Sequence, residues 1–254
     1  MTLQEIIDDS TRIVFFGGAG VSTESGIPDF RSADGLYSQR YKYPPEQIVS
    51  HTFYERNTEE FFAFYRDRMI FPDAKPNAAH MKLAELEHAG KLSAVITQNI
   101  DGLHQAAGSK NVIELHGSVH RNYCEKCGKF HGLDAVTGST GIPRCECGGR
   151  IKPDVVLYEE SLNGDDINRA VNEIAAADTL IIGGTSLVVY PAAGFVNYFT
   201  GKHLAVINKS ETNADMIFKL AAYFKVKQIN FHRIPPKNKM RSCVKIYSNY
   251  ITYG

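Results

Sequence analysis

The apolar run Ile13-Val14-Phe15-Phe16 passes without a spacer into Gly17-Gly18-Ala19-Gly20-Val21-Ser22, and this junction constrains the fold more than any other stretch of the chain. A buried strand entering a glycine-rich turn is how an α/β protein brings backbone N–H groups and a helix N-terminus up to a phosphate. The dinucleotide fingerprint Gly-x-Gly-x-x-Gly is met only in part. Gly18 and Gly20 are followed by Thr23 at the third place, and no second strand ending in an acid comes about 20 residues later. Spacing alone favours a nucleotide site but leaves an ordinary tight turn open. Asp29-Phe30-Arg31, so soon after the turn, is a charged and aromatic cluster suited to lie over a bound cofactor.

Further β-rich runs recur at 94–97, 112–115, 155–158, 179–182 and 204–207, with helical patterns over 77–89, 165–177 and 191–199. Asn77 and Asn163-Gly164 read as helix starts, and Pro191 as a first-turn proline. Apolar strands alternating with helices predict a doubly wound α/β core, a parallel sheet covered on both faces, with ligands beyond the carboxyl ends of the strands. Two stretches break the alternation, 31–71 with its Tyr- and Phe-bearing helix and the Gly-rich 123–151. Both read as inserts forming a smaller domain beside the sheet. At 254 residues and 43% hydrophobic, the chain is long enough for one core carrying such inserts.

No apolar run is long enough to cross a bilayer, and the N-terminus lacks the basic start and apolar stretch of a signal peptide, so a cytoplasmic protein is expected. Net charge is zero, yet residues 216–254 hold eight Lys or Arg and no Asp or Glu. That basic tail, interleaved with Tyr and Phe, reads as a solvated surface rather than a nucleic-acid site.

Four of the five cysteines cluster. Cys124-x-x-Cys127 is a zinc-knuckle pair, and Cys145-x-Cys147 follows 17 residues later with a hook one residue short of usual. Gly148-Gly149 then gives the backbone freedom to turn. Four thiolates suggest a closed tetrahedral zinc site that supports folding and leaves no open position for chemistry. Cys243, in the tail, reads as a lone thiol. His116 follows the run 112–115 at a strand's carboxyl end, where an unperturbed imidazole suits general-base work, although a solvated or satisfied histidine is the commoner case and stays open at this point. Asn99 and Asp101, after the run 94–97, read either as site residues or as a capped polar turn.

From Gly17 to Arg31 the chain resembles the sirtuins, NAD-dependent protein-lysine deacylases. Thr97-Gln98-Asn99-Ile100-Asp101-Gly102-Leu103-His104, Glu114-Leu115-His116-Gly117-Ser118, the cysteine quartet, Lys152-Pro153-Asp154-Val155-Val156, Gly183-Gly184-Thr185-Ser186-Leu187 and Val206-Ile207-Asn208-Lys209 follow in that family's order. The likeness covers about residues 5–215 and stops at the tail. It implies a Rossmann-like NAD-binding domain from 1–30, 77–122 and 152–215, a cofactor loop and helical insert at 31–76, a zinc-binding insert at 123–151, and an unmatched tail at 216–254.

The resemblance further implies NAD and zinc as cofactors, acetyl-lysine proteins or peptides as substrates, and transfer of the acetyl group to ADP-ribose with release of nicotinamide. His116 is then the base, with Asn99 and Asp101 beside it. Gln98, Asn99, Ile100 and Asp101 hold the nicotinamide ribose, and Phe30 shields the reactive face. Arg31, Thr23, Gly18 and Ala19 lie by the phosphates, and Gly184, Thr185, Ser186, Asn208 and Lys209 serve the adenosine half. The peptide pairs as an added strand with Val155, Val156 and Tyr158 on one side and with Val189 and Tyr190 on the other.

Where sirtuins usually read Phe-Gly-Glu, this chain has Tyr158-Glu159-Glu160. The added side chain is expected to narrow the cleft or favour basic peptides. Members that remove acidic acyl groups carry a Tyr and, three residues on, an Arg over the acyl pocket. Those places fall at Phe62 and Tyr65 here, so acetyl or another neutral acyl group is expected. Two alternatives stand beside the deacetylase: protein mono-ADP-ribosyl transfer, and an NAD or acyl-peptide binding protein with impaired turnover.

Overall fold

The computed structural model describes residues 1–32, 35–38 and 41–209 and the backbone of 242–247. Among the described residues the strands are β1 (Ile13–Gly17), β2 (Leu92–Thr97), β3 (Val112–Glu114), β4 (Gly117–Cys124), β5 (Phe130–His131), β6 (Ile151–Val155), β7 (Thr179–Gly183), β8 (His203–Asn208) and β9 (Ser242–Tyr247). Six of them form a parallel sheet in the order β3-β2-β1-β7-β8-β9. From β1 the chain steps outward to β2 and β3, then returns to the other side of β1 for the remaining three. The order reverses between β1 and β7, which is where an open α/β sheet places its ligand crevice, beyond the strands' carboxyl ends.

Continuous apolar runs become strands here because both faces are covered. Val14 and Phe16 point into a core with Ile96, Leu180, Ile182 and Val206, closed by Ala170 and Ile174 of the helix Gly164–Ala176 and by Phe195 of the 3-10 helix Ala192–Tyr198. Ile13 and Phe15 alternate to the opposite face, against Val95, Ile181, Ala205 and Leu83 of the helix Ala78–His88. Phe16 is fully buried, so truncation to Ala would cost about 3–5 kcal/mol. Asn77 caps Ala78–His88 with its side-chain oxygen and also donates through Nδ2 to the Val21 carbonyl at 2.8 Å, tying that helix to the turn after β1.

Strands β5-β4-β6 form a separate antiparallel sheet. Against it packs an aromatic cluster from the helices His51–Arg56 and Thr58–Arg68, in which Phe53, Tyr54, Phe61, Phe62 and Tyr65 meet Val119, Val136, Val155 and Leu157. Arg121 on β4 bridges the two sheets, pairing with Glu114 of β3 and, at 2.7 Å, with Asp154 of β6.

Two expectations need correction, and the tail, which the sequence left without an assigned structure, supplies a strand. The run at 155–158 is not a strand of the main sheet: β6 is Ile151–Val155, in the small antiparallel sheet, and Tyr158 makes an isolated parallel bridge to Ser50. Lys152 and Pro153 hid the earlier start, because neither favours a strand. The helix expected at 191–199 is a 3-10 helix, Ala192–Tyr198, and Pro191 precedes it instead of occupying its first turn. Finally, the tail contributes β9, parallel to β8 in a register running from His203↔Ser242 to Asn208↔Tyr247. The rest of 210–254 lies outside the described residues, as does the side chain of Cys243.

Candidate active site

Five strand ends converge at the crevice. After β1, residues Gly18 to Val21 fold against the turn after β7: the Gly18 N–H donates to the Gly183 carbonyl at 3.2 Å and the Gly20 N–H to the Gly184 carbonyl at 2.8 Å. Gly184 has φ +57°, and a Cβ there would stand 2.3 Å from the Val21 nitrogen. One on Gly20 would stand 2.8 Å from the Gly184 Cα, so glycine is required on both turns by their mutual approach. Ala19 lies in the 3-10 turn Ala19–Val21, and Thr23 Oγ1 donates to the Gly20 carbonyl at 3.0 Å.

The end of β2 supplies a polar network. Asn99 Nδ2 donates to Ser22 Oγ at 3.0 Å, Ser22 Oγ donates to Asp101 Oδ2 at 2.6 Å, and the second Asp101 oxygen accepts the Leu103 N–H at 2.9 Å. Ser22, fully buried at the centre of this chain, was not singled out from the sequence. Its place five residues after the end of β1 and within the glycine-rich motif was the available signal. Ile100 sits half-buried against the aromatic cluster.

His116 follows β3. Its Nδ1 is 3.0 Å from the Gln98 carbonyl. A carbonyl only accepts, so Nδ1 carries the proton and Nε2 keeps its lone pair. Burial pulls the imidazole below its ordinary pKa, partly offset by that hydrogen bond, so the ring is neutral near pH 7. The Gln98 side chain reaches across to Thr185 Oγ1 at 3.0 Å, and Asn208 Nδ2 donates to the Thr185 carbonyl at 3.2 Å, linking the ends of β2, β7 and β8. Ser186 and Lys209 are exposed at this edge.

Phe30 and Arg31 lie beside Tyr37. The Phe30 and Tyr37 rings meet edge-on at 5.5 Å, and the Arg31 guanidinium covers the Tyr37 ring at 5.3 Å. The Val156 N–H donates to the His116 carbonyl at 3.0 Å, joining the segment after β6 to the histidine. Tyr158 has its backbone engaged at both ends, by the Val49 carbonyl and the His51 N–H. Val189 is half-buried and Tyr190 exposed, in an irregular stretch before the 3-10 helix. The Glu159 carboxylate, expected to project charge into the cleft, instead accepts the N–H and hydroxyl of Thr52 at 2.8 and 2.7 Å. Phe62 and Tyr65 are fully buried within the aromatic cluster. The Arg66 guanidinium lies over the Phe62 ring at 5.4 Å, and its N–H groups donate to the Val136 and Gly141 carbonyls and Ser139 Oγ.

The four cysteine sulfurs lie within 4.8 Å of one another, with Cys124 to Cys147 at 3.4 Å and Cys127 to Cys145 at 3.8 Å. Tetrahedral zinc with Zn–S near 2.3 Å needs sulfurs about 3.8 Å apart, so this quartet fits the ion. The short second hook works through its glycines. Gly148 takes φ +80°, and a Cβ on Gly149 would come within 2.7 Å of Cys124 Sγ.

The strand-end cluster likewise fits a dinucleotide: the guanidinium of Arg31 suits phosphate oxygens, the glycine turn lets a ligand approach its backbone closely, and the amide and carboxylate of Asn99 and Asp101 suit sugar hydroxyls. Among the described residues, no helix is long and apolar enough to cross a membrane.

Residues 18–191 match the Sir2 family. Two relatives, the NAD-dependent protein deacetylases of Clostridium acetobutylicum and Clostridium perfringens, are each 63% identical over 217 residues, covering 84% of this chain and 89% of the relative. A Sir2 structure with a deacetylated p53 peptide and 3′-O-acetyl ADP-ribose superposes with a TM-score of 0.78 at 42% identity, covering 85% of this chain and 91% of its own. Another, of Sir2 with a p53 peptide and NAD⁺, has a TM-score of 0.74 at 38% identity, covering 89% and 98%. With the site's geometry and these likenesses agreeing over most of its length, the chain belongs to the Sir2 family.

Proposed function

We propose that this protein is an NAD-dependent protein-lysine deacetylase that moves the acetyl group of an acetyl-lysine side chain to ADP-ribose and releases nicotinamide. The observation that carries this reading is the fixed tautomer of His116, a neutral imidazole just after the carboxyl end of β3 that keeps the lone pair on Nε2. NAD, when bound, supplies an electrophilic ribose carbon once nicotinamide departs. His116 takes a proton at Nε2 from a hydroxyl brought to it. The Asn99–Ser22–Asp101 chain holds its donors and acceptors in place before any ligand arrives, so little reorganisation is needed. Gln98 and Ile100 complete this ribose side.

Phe30 excludes water from the reactive face, and Arg31, Thr23, Gly18 and Ala19 face the phosphates. Gly184, Thr185, Ser186, Asn208 and Lys209 take the adenosine half. The substrate peptide lies along Val155, Val156 and Tyr158, opposite Val189 and Tyr190. Because the Tyr158 backbone and the Val156 N–H are already bonded, the Val156 carbonyl carries the main-chain pairing on this side. Phe62 and Tyr65 line the acyl pocket, and Arg66, stacked over the Phe62 ring, has its N–H groups bonded to the Val136 and Gly141 carbonyls and Ser139, which engages them away from any acidic acyl group and favours neutral chains. Cys124, Cys127, Cys145 and Cys147 hold a structural zinc. In domain terms, 1–30, 77–122 and 152–215 form the NAD-binding unit, with 31–76 and 123–151 as inserts. The protein works in the cytoplasm.

Incubation with NAD and an acetylated peptide, following nicotinamide and deacetylated peptide by mass, tests the reading. Equal release of both is expected. Nicotinamide release with ADP-ribosylated protein and no deacetylation would favour the transferase alternative. A succinylated version of the same peptide should be the poorer substrate by kcat/KM.

A further inference from the structure

We propose that the Tyr158 hydroxyl is a positioning group that, through Tyr37, fixes the segment carrying Phe30 and Arg31 and thereby raises cofactor affinity. The proposal rests on the reading of Phe30 and Arg31 as cofactor contacts.

The Tyr158 oxygen lies 3.0 Å from the Tyr37 hydroxyl and 3.5 Å from Arg31 Nη2. Phe30 and Arg31 both pack on the Tyr37 ring, so the four side chains form one connected cluster. The backbone couples them too. The Tyr37 N–H donates to the Phe30 carbonyl and the Leu36 N–H to the Asp29 carbonyl, each at 2.8 Å, so a displacement of Tyr37 carries Phe30 with it. Tyr158 is by contrast a fixed post, its N–H held by the Val49 carbonyl at 3.0 Å and its carbonyl by the His51 N–H at 2.9 Å.

A phenol both donates and accepts. Either hydroxyl of the pair therefore satisfies the other, and an Arg31 N–H points toward the remaining acceptor capacity of Tyr158. Burial, then the bond to Tyr158, holds the Tyr37 proton well above the ordinary phenol range, so Tyr37 stays neutral at working pH. Sirtuins usually carry Phe at the place of Tyr158. A Phe at this place keeps the ring and has nothing to bond Tyr37.

The test uses the full chain and its Tyr158→Phe, Tyr37→Phe and doubly substituted forms. Amide exchange is followed over residues 35–38 without NAD, and NAD affinity is measured by calorimetry without peptide. Loss of one hydrogen bond predicts roughly three- to tenfold faster exchange and a similar loss of NAD affinity in either single variant. The double variant should lose no more than one single variant, because both remove the same bond. Exchange in Tyr158→Phe within twofold of the parent would overturn the tether. Single-variant affinity losses that multiply in the double would overturn the coupling. If exchange rises as expected but the parent binds no NAD, the tether stands while its role in cofactor affinity and the functional reading both fall.

Discussion

Gln98 accepts the Nδ1 proton of His116 on its backbone carbonyl at 3.0 Å while its side chain donates to Thr185. One residue at the end of β2 thus sets the histidine tautomer and ties it to the turn after β7, across the point where strand order reverses. His116 and the turns after β2 and β7 are therefore held by the same amino acid, and the backbone half of that hold survives any side-chain substitution at 98.

Replacing His116 with Ala should lower deacetylation 10²-fold or more, the usual worth of a positioned base. Because burial depresses the imidazole, the acid limb of kcat/KM should have its midpoint below about 6.5, the ordinary histidine value. Activity within threefold of the parent, or an acid limb centred above pH 7, would contradict the assignment.

One zinc per chain is expected at Cys124, Cys127, Cys145 and Cys147, and chelation should lower Tm and activity together, since binding at such a site is folding free energy. Cys124 and Cys145 are buried beside Ile151 of β6, so loss of the ion loosens the small sheet that leads to Val155 and Val156. Metal analysis that finds folded, active protein without zinc would refute this.

Much of this arrangement was legible in the sequence because the chemistry sits at strand ends. The runs at Ile13, Thr179 and Leu204 are apolar on both faces, so they announce parallel strands, and the glycines after them announce turns. The cysteines were equally plain, their spacing being set by the ion. The rest depends on where a side chain goes after the backbone is placed. Glu159 is an acid in a motif that normally has Gly, and no pattern tells that it caps a helix more than a hundred residues earlier. Ser22 looks like any serine in a turn until Asn99 and Asp101 arrive from β2. The strand β9 carried a signal, since Cys243-Val244-Lys245-Ile246-Tyr247 is rich in β-favouring residues, but its distance from β8 and its basic surroundings obscured it.

Glu159 combines a cost and a gain at one position. Its φ of +77° is the left-handed region that favours glycine, and its carboxylate accepts two hydrogen bonds from Thr52 in the first turn of His51–Arg56, which also draw its pKa below the ordinary value. Glu159→Ala keeps the strain and loses both bonds, whereas Glu159→Gly loses the bonds and relieves the strain. The Ala form should therefore melt below the Gly form, by about 2–4 °C for a chain of this size. Equal melting temperatures, or an Ala form that is the more stable, would show that the backbone at 159 is not strained.

His104 offers the clearest pH dependence of stability. It is 1% exposed, its ring lies 4.7 Å from that of the fully buried His80, and neither of its ring nitrogens has a hydrogen-bond partner among the described residues. Burial, with a smaller contribution from His80, pushes its pKa down to about 3. In the unfolded chain the same ring titrates near 6.5, so below that pH the unfolded state binds the extra proton. Stability is then full above about 6.5 and falls as pH drops toward about 3, by up to about 1.4 kcal/mol per pH unit from this residue. His80, also lowered by burial, adds in the same direction. His104→Phe removes the titration and leaves no polar atom unsatisfied, so its stability should depend less on pH. Urea unfolding at pH 7, 6 and 5 reads this as a slope, which separates it from any constant packing cost of the larger ring. The parent should lose stability faster than the variant by about 1 kcal/mol per unit between pH 6 and 5. Parallel slopes would mean that His104 is protonated, or already solvated, in the folded protein.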